Sequence, residues 1–268
     1  MLLRRVIPVL LLKRRSLVKS VQFRNPTYVG DPINTVRIFN EREVDELLIL
    51  DIAASVSDAG PQYDLLEEIA AEAFMPFGYG GGVTNVDQAR KLFRSGAEKI
   101  VVNEAALQRP KLITELADTF GSQSIVVSVD CRRCRWRGGW NVVTNNARKK
   151  WKPSPSDWAR EASRRGAGEL LLTSVDQDGT FEGYDWELMQ IVADQVDIPV
   201  IGCGGAGQMD HIQQLLETTP VSAAAAGSLF VYQGSQRAVL VNYPTRDRLD
   251  LLLDAVESKS AQVPSAFV

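Results

Sequence analysis

The sequence predicts a (β/α)8 barrel, an α/β fold of eight parallel strands, made of two half-barrel repeats. Two observations predict it. Short apolar segments alternate with longer amphipathic segments from end to end, and a glycine-rich segment recurs at a fixed spacing. The chain has 268 residues, and barrels of this class fold as one domain of about 250 residues. We therefore expect residues 1–268 to form a single domain.

Eight apolar segments have the length of strands and little polar alternation. Such segments are typical of strands that are covered on both faces, as in a parallel sheet flanked by helices. The predicted strands are Val6–Leu10, Leu47–Leu50, Pro76–Tyr79, Ile100–Val102, Ile125–Val129, Leu170–Thr173, Pro199–Cys203 and Ala223–Ala226.

Amphipathic segments of crossover length lie between these strands, which predicts parallel βαβ units. Eight units fit a closed barrel, and an open doubly wound sheet is the structural alternative. The predicted helices include Gln62–Ala73, Val86–Arg94, Pro110–Phe120, Ser156–Arg165, Asp185–Val196 and Asp210–Leu216.

An internal repeat favours the closed barrel. The segment Met75–Gly82 is echoed 123 positions later by the segment Ile198–Gly205. The same offset still holds at the end of the strand that follows each segment. We infer two half-barrels, about 1–121 and 122–258, that close around a pseudo-twofold axis.

Composition excludes several classes of protein. A net charge of −3 gives no general attraction to nucleic acid or to membranes. Cys131 and Cys134 form a C-x-x-C without a second pair to complete a zinc site, so an incidental pair in a loop is favoured over a metal or redox role. His211 is the one histidine, and the chain has no G-x-G-x-x-G or P-loop. We expect no metal and no cofactor.

The first fifteen residues contain basic residues around the apolar run Val6–Leu12. This run is short, contains Pro8 and has no small-residue cleavage site after it, so a buried first strand is favoured over a signal peptide. The sequence therefore predicts a cytoplasmic protein that does not associate with membranes.

Polar and glycine residues follow the predicted strands at their carboxyl ends, where barrels of this class build their active sites. Paired glycines let backbone N–H groups approach an anion, and the pair occurs in both halves. We expect two phosphate subsites across the mouth of the barrel, suited to a substrate with a phosphate at each end. The alternative is that the glycines only permit tight turns. The candidate residues are Asp51, Gly81, Gly82, Asn103, Thr173, Gly204, Gly205, Gly227 and Ser228.

A series of segments runs in order across nearly the whole chain. They are Gly30-Asp31-Pro32, Asp51-Ile52, Gly80-Gly81-Gly82, Phe120–Gln123, Gly166–Glu169, Leu172–Thr180, Gly183-Tyr184-Asp185 and Gly204-Gly205-Ala206. In this order and spacing they resemble the cyclase subunit of imidazole glycerol phosphate synthase. The resemblance implies a heterodimer with a glutaminase, which docks at the N-terminal face and sends ammonia through the barrel. It also implies a phosphorylated substrate, an aminoimidazole-carboxamide ribonucleotide with two phosphates, which two opposed carboxylates cleave and cyclise.

The resemblance fails at one of those carboxylates. Leu11 stands where the family has a catalytic aspartate after the first strand, while Asp130 matches the partner carboxylate and Lys19 matches the loop lysine. Leucine has no titratable proton, and loss of an acid–base group typically lowers a rate by about 10²–10⁴-fold. Glu104 stands where the family usually has a threonine beside the first phosphate, and a carboxylate there repels a phosphate unless a cation intervenes. Asp178 matches a substrate-binding position.

Four charged residues each stand immediately before a predicted strand, at the opposite face of the barrel. Without the resemblance, charges at strand starts are usually solvated. With it, they match the family's salt-bridge gate, which guards the entrance for ammonia. The gate residues are Arg5, Glu46, Lys99 and Glu169.

The segment Asn25–Asn40 resembles a divergent branch of the family more closely than the histidine-pathway enzyme. Proteins of that branch work beside a glutaminase-like subunit and a third, amidotransferase component, and they convert an acetamido sugar to an acetamidino sugar for surface polysaccharides. This is our leading interpretation. The alternatives are a true lyase/cyclase of histidine biosynthesis and a non-catalytic activator or scaffold of the glutaminase.

A basic loop at 131–140 follows Asp130. It is either a solvated hairpin or a docking site for an anionic substrate or partner, and both readings are favoured over nucleic-acid binding. Its basic and aromatic residues are Arg132, Arg133, Arg135, Trp136, Arg137 and Trp140.

Overall fold

The computed structural model describes residues 4–54, 60–135, 138–234 and 236–262. Eight parallel strands form a closed ring, because each strand pairs with the next and the eighth pairs with the first. In ring order they are β1 (Arg5–Lys13), β4 (Leu47–Asp51), β5 (Phe77–Gly80), β6 (Lys99–Val102), β7 (Ile125–Arg133), β10 (Glu169–Ser174), β11 (Val200–Cys203) and β12 (Ala223–Ala226). The predicted barrel is confirmed, and the open sheet is excluded.

Helices cover the outside of this ring. They are α1 (Pro32–Glu41), α2 (Tyr63–Glu72), α3 (Val86–Arg94), α4 (Glu104–Gln108), α5 (Lys111–Phe120), α6 (Pro155–Arg164), α7 (Trp186–Ala193), α8 (Met209–Thr218) and α9 (Arg246–Gln262). Local sequence explains their starts: Ser154 caps α6 by accepting from the N–H of Asp157, and Pro155 occupies the first turn. Within the described residues, no helix has the length and apolar character needed to cross a membrane.

Two hairpins extend the ring at its C-terminal end; we did not predict the first, and a hairpin was one of our two interpretations of the basic loop at 131–140, which lies in the second. β1 continues into β2 (Ser16–Val21) and β3 (Arg24–Gly30), and β7 continues into β8 (Trp140–Thr144) and β9 (Lys149–Lys150). The sequence signal was weak because β3 and β9 are short, polar and largely exposed. Since β1 and β7 are the first and fifth strands of eight, the hairpins rise on opposite sides of the mouth. A third small hairpin pairs β13 (Tyr232–Gln233) with β14 (Ala238–Val239).

Both large hairpins are tied to the segment that follows β10. The N–H of Gln22 donates to the carbonyl of Asp178 at 2.8 Å. From the other side, the N–H of Arg133 donates to the Asp176 carboxylate at 2.6 Å. The indole N–H of Trp140 donates to Asp185 at 2.9 Å. The basic loop is therefore a folded hairpin rather than a free one; Trp136 and Arg137 lie outside the described residues.

Side chains alternate along each barrel strand between the interior and the helical layer, as the period of two requires. The interior holds a compact apolar cluster made of Ile7, Val9, Leu48, Val101, Val126, Leu171, Ile201, Cys203, Ala223 and Ala225. A larger cluster fills the space between strands and helices. Because the interior is packed, charged side chains from the strands are confined to its two ends.

Candidate functional site

A cavity of about 1120 Å³ opens where the C-terminal ends of the strands meet the two hairpins. Its position is the one expected for an active site of a barrel. The predicted residues that line it are Leu11, Lys19, Asp51, Gly81, Gly82, Asn103, Asp130, Thr173, Asp178 and Gly227. Gly204, Gly205 and Ser228 are not among the described residues that form its wall.

Asp130 is a half-buried carboxylate held by its neighbours near the end of β7. The amide of Asn103 donates to its Oδ2 at 2.7 Å, and the hydroxyl of Ser128 donates to its Oδ1 at 3.3 Å. Burial raises the pKa of Asp130 to about 6, and the nearby Asp178 carboxylate acts in the same direction, while the hydrogen bonds oppose it. A carboxyl with this pKa can exchange a proton near neutral pH.

Lys19 lines the cavity and has no carboxylate in direct contact among the described residues. Its ammonium donates to the carbonyl of Val9 at 2.6 Å. Burial lowers the pKa of Lys19 to about 8, and the more distant Asp178 partly opposes this. Burial likewise raises the pKa of Asp178 to about 6. Gly227 makes the arrangement possible, because a Cβ there would lie 2.2 Å from the Lys19 nitrogen.

Leu11 lies in the wall of the cavity on β1. It packs against the interior cluster and pairs with Leu50 on β4. Leu11 therefore brings no titratable group to the cavity. Asp130, Asp178 and Lys19 line the cavity with pKa values displaced towards neutrality.

Asp51 has a local structural task that the sequence did not reveal. Its Oδ1 accepts from the N–H groups of Ala53 and Ala54 at 2.9 and 3.1 Å, and its Oδ2 accepts from the Gln62 amide at 2.6 Å. These bonds hold the loop after β4 in a turn. Both carboxylate oxygens are thus engaged within the protein.

The two glycine pairs have different surroundings, although they match in sequence. Gly81 and Gly82 line the open cavity. Gly204 and Gly205 lie beneath the segment after β10, and a Cβ on Gly205 would come within 1.9 Å of the carbonyl oxygen of Gly183. Their positive φ values and this close approach require glycine for backbone packing.

Glu104 begins α4 beside the first glycine pair, and it does have a neighbouring cation. The ammonium of Lys149, from the hairpin on the far side of β7, donates to Glu104 Oε1 at 2.7 Å. Gln108 donates to the same oxygen at 3.0 Å. We did not foresee Lys149 at this site, because 45 positions separate it from Glu104 and its basic neighbours give no pairing signal.

The four predicted gate residues form one closed ionic ring at the N-terminal end of the barrel. Arg5 contacts both Glu46, at 2.5 Å, and Glu169. Lys99 contacts the same two carboxylates at 2.7 Å each. Each residue stands two positions before a member of the interior cluster, so all four point inward.

Electrostatics favours the charged state of this ring. Burial acts to lower the pKa of Arg5, but the Glu169 and Glu46 carboxylates outweigh it and raise that pKa. Both glutamates are buried, at 5% and 6% exposure. The charges alternate around the ring and each residue has two partners of opposite charge. Their attraction offsets the desolvation penalty that an isolated charge would have here.

Metal binding has no support in the described parts of the chain. No group of three or more histidine, cysteine, aspartate or glutamate side chains there is arranged to hold a metal ion. Cys131, Cys134 and Cys203 are free thiols in that part of the structure.

The fold and its two polar ends define the class: a (β/α)8 barrel with an inward-facing ionic ring at one end and a charged cavity at the other. Comparison with known proteins identifies the family within that class. Residues 5–236 match the model of the family described as histidine biosynthesis protein. The chain belongs to this family.

Three relatives illustrate the similarity. The chain is 51% identical, over 94% of its length and all of the relative's, to a protein of Pseudomonas aeruginosa that carries the provisional name imidazole glycerol phosphate synthase subunit hisF2. It is 43% identical, over 94% of its length and 99% of the relative's, to a provisionally named HisF of Leptospira interrogans. It is 41% identical, over 87% of its length and 92% of the relative's, to the HisF subunit of imidazole glycerol phosphate synthase of Streptococcus mutans.

Proposed function

We propose that this chain is the cyclase-type subunit of a glutamine amidotransferase complex, and that it passes ammonia through its barrel to an acceptor outside the histidine pathway. The proposal is supported by the contrast between its two ends. The ionic ring is complete, whereas Leu11 lines the mouth at the position where the resemblance to the cyclase subunit implies one of two catalytic carboxylates.

The partner in this proposal is a glutaminase that docks at the N-terminal face, in the cytoplasm. Ammonia released there is neutral and small, and it passes the ring when the ion pairs separate. Arg5 and Lys99 each hold two carboxylates, so displacing one of these cations breaks two of the four contacts. The ring is thus suited to a gate whose opening a docked partner controls.

The acceptor in this proposal is a nucleotide-linked acetamido sugar, which becomes an acetamidino sugar for a surface polysaccharide. A third, amidotransferase component activates the amide and receives the ammonia at the mouth. In this scheme Asp130 and Lys19 manage protons where ammonia emerges, since both have pKa values displaced towards neutrality.

The test is a reconstitution of the three components with glutamine and a nucleotide-linked acetamido sugar. We expect Lys99→Met to leave glutamine hydrolysis running while product per glutamine consumed falls severalfold. Lys259→Met, which removes an ion pair with Glu217 at the surface, serves as the control. Unchanged coupling in Lys99→Met would contradict a conducting barrel and favour the activator or scaffold interpretation.

A true lyase/cyclase of histidine biosynthesis is the second candidate, and the names of the relatives favour it. In that case Asp178 replaces the missing aspartate, because it is buried at the mouth and its pKa is raised to about 6. Restoring the carboxylate with Leu11→Asp would then change cyclisation little.

A further inference from the structure

One ion pair crosses the rim of the cavity and joins the two halves of the barrel. Glu104 begins α4 beside Gly81 and Gly82, and its Oε1 accepts from Lys149 at 2.7 Å and from Gln108 at 3.0 Å. The side chain of Glu104 is 18% exposed, so the carboxylate lies in the wall and not in bulk solvent.

Lys149 is held in place by its own surroundings. Its ammonium lies 4.4 Å from the centre of the Trp151 ring, a favourable cation–π arrangement. The Trp151 indole N–H donates to the hydroxyl of Thr144 at 2.8 Å, which fixes the ring against β8. Lys149 is therefore positioned for Glu104 and is not a free cation that swings toward a ligand.

The carboxylate of Glu104 presents an acceptor at this part of the wall. Asn103 directs its amide N–H toward Asp130, and its carbonyl oxygen is buried without a hydrogen-bond partner among the described residues. The second carboxylate oxygen of Glu104 has no hydrogen bond within the described residues. A phosphate brings further acceptors and negative charge, whereas a hydroxyl brings the donor that this oxygen lacks.

We propose that Glu104, held by Lys149, makes the first-half subsite reject phosphate and accept the hydroxyl groups of an uncharged sugar ring. The Glu104 carboxylate neutralises Lys149 and places a negative charge in this part of the wall. Glu104 is then a residue that determines specificity. This inference rests on the proposed function in one respect, since it takes the ligand to be a nucleotide-linked sugar.

The anionic part of such a ligand has other cations available. Both hairpins carry basic side chains that line the cavity and make no ion pair or side-chain hydrogen bond with any described residue. They are Lys13, Arg14, Arg24 and Arg148. A diphosphate at the rim would meet these groups while the sugar extends toward Glu104.

The experiment measures binding of two probes to the purified chain by titration calorimetry. Glycerol 3-phosphate reports on a phosphate monoester, and UDP-N-acetylglucosamine reports on a nucleotide-linked sugar. We expect Glu104→Thr to bind glycerol 3-phosphate at least tenfold more tightly than the unmodified chain and to bind the nucleotide sugar more weakly. Glu104→Gln keeps the size of the side chain and removes its charge. Its affinity for each probe should lie between those of the unmodified chain and Glu104→Thr. Glu182→Gln removes, from the segment after β10, an exposed carboxylate that does not line the cavity, and should change neither affinity.

Two results would overturn the assignment. One is equal binding of glycerol 3-phosphate by the unmodified chain and Glu104→Thr, including no detectable binding by either. The other is loss of phosphate binding in Lys149→Met, since Lys149 would then already be a phosphate ligand. Failure of the unmodified chain to bind UDP-N-acetylglucosamine, with the phosphate result as expected, would instead contradict the acceptor in the proposed function.

Discussion

Two cations, the partly buried Arg5 at one end of the barrel and the buried Lys19 at the other, have opposite electrostatic surroundings. Arg5 at the N-terminal ring contacts two carboxylates directly, and its pKa is raised. Lys19 at the mouth donates to a backbone carbonyl instead, and burial lowers its pKa to about 8. The ring thus stabilises fixed charges, as a gate requires. The mouth holds groups near their ionisation points, as proton transfer requires.

Removing one carboxylate from the N-terminal ring tests whether the ring stabilises its charges. It should change the free energy of unfolding more than the other substitutions do. Glu169→Leu leaves Arg5 and Lys99 partly buried with one shared partner, which should cost about 3 kcal/mol of the free energy of unfolding. Urea unfolding followed by circular dichroism measures it. Glu161→Leu also removes a glutamate with two arginine partners, but at the surface, and should cost less than about 1 kcal/mol. Equal losses of unfolding free energy in the two variants would show that the ring stabilises the fold no more than ion pairs at the surface do.

Removing a charge from the mouth should stabilise the protein. Burial raises the pKa of Asp130 from 3.8 to about 6, so its contribution to stability is complete below pH 3.8 and is lost as the pH rises to about 6. Asp130→Asn keeps an oxygen to accept from Asn103 and should gain up to about 3 kcal/mol at pH 7.5. Unfolding at pH 4.5 should show a smaller gain. A loss of stability at pH 7.5 would contradict the account of this carboxylate.

Lys19 tests the effect of burial on a positive charge, as Asp130 does on a negative one. Because its pKa falls from 10.5 to about 8, the charged form destabilises the folded state below about pH 8, and the penalty fades as the pH rises to 10.5. Lys19→Met should gain about 2 kcal/mol at pH 7, less than the full shift implies, since Asp178 loses a neighbouring cation. The gain should shrink at pH 9.5, where a constant gain would indicate a packing effect instead.

The rim pair should matter least for stability. Lys149 is 45% exposed, so its contact with Glu104 is screened by solvent. Glu104→Gln should change the free energy of unfolding by less than about 1 kcal/mol. A larger loss in urea unfolding would mean that the pair holds the hairpin together, in addition to shaping specificity.

Sequence reasoning predicted the barrel because periodicity and the internal repeat act over the whole chain. The end of the barrel at which Arg5, Glu46, Lys99 and Glu169 lie also followed from the sequence, since each stands immediately before a predicted strand. Their interpretation as one ring depended on the family resemblance, because charges at strand starts are usually solvated.

The internal repeat did not predict the three-dimensional surroundings of the residues that it matches. Gly82 and Gly205 match in sequence, yet one lines a cavity and the other packs under the backbone at Gly183. The hydrogen bonds by which Asp51 holds a turn were not predicted, and neither was the contact of Glu104 with a lysine 45 positions away. Contacts of this kind depend on how loops cross the mouth, and the local sequence does not encode them.

The most direct test of the central claim is the reaction that the mouth should no longer perform. The purified chain is given an ammonium salt and the aminoimidazole-carboxamide ribonucleotide of the histidine pathway, and product formation is followed. We predict no turnover at an enzyme-like rate, because Leu11 supplies no acid–base group opposite Asp130. Turnover at such a rate would contradict the divergent acceptor and make the chain a working cyclase.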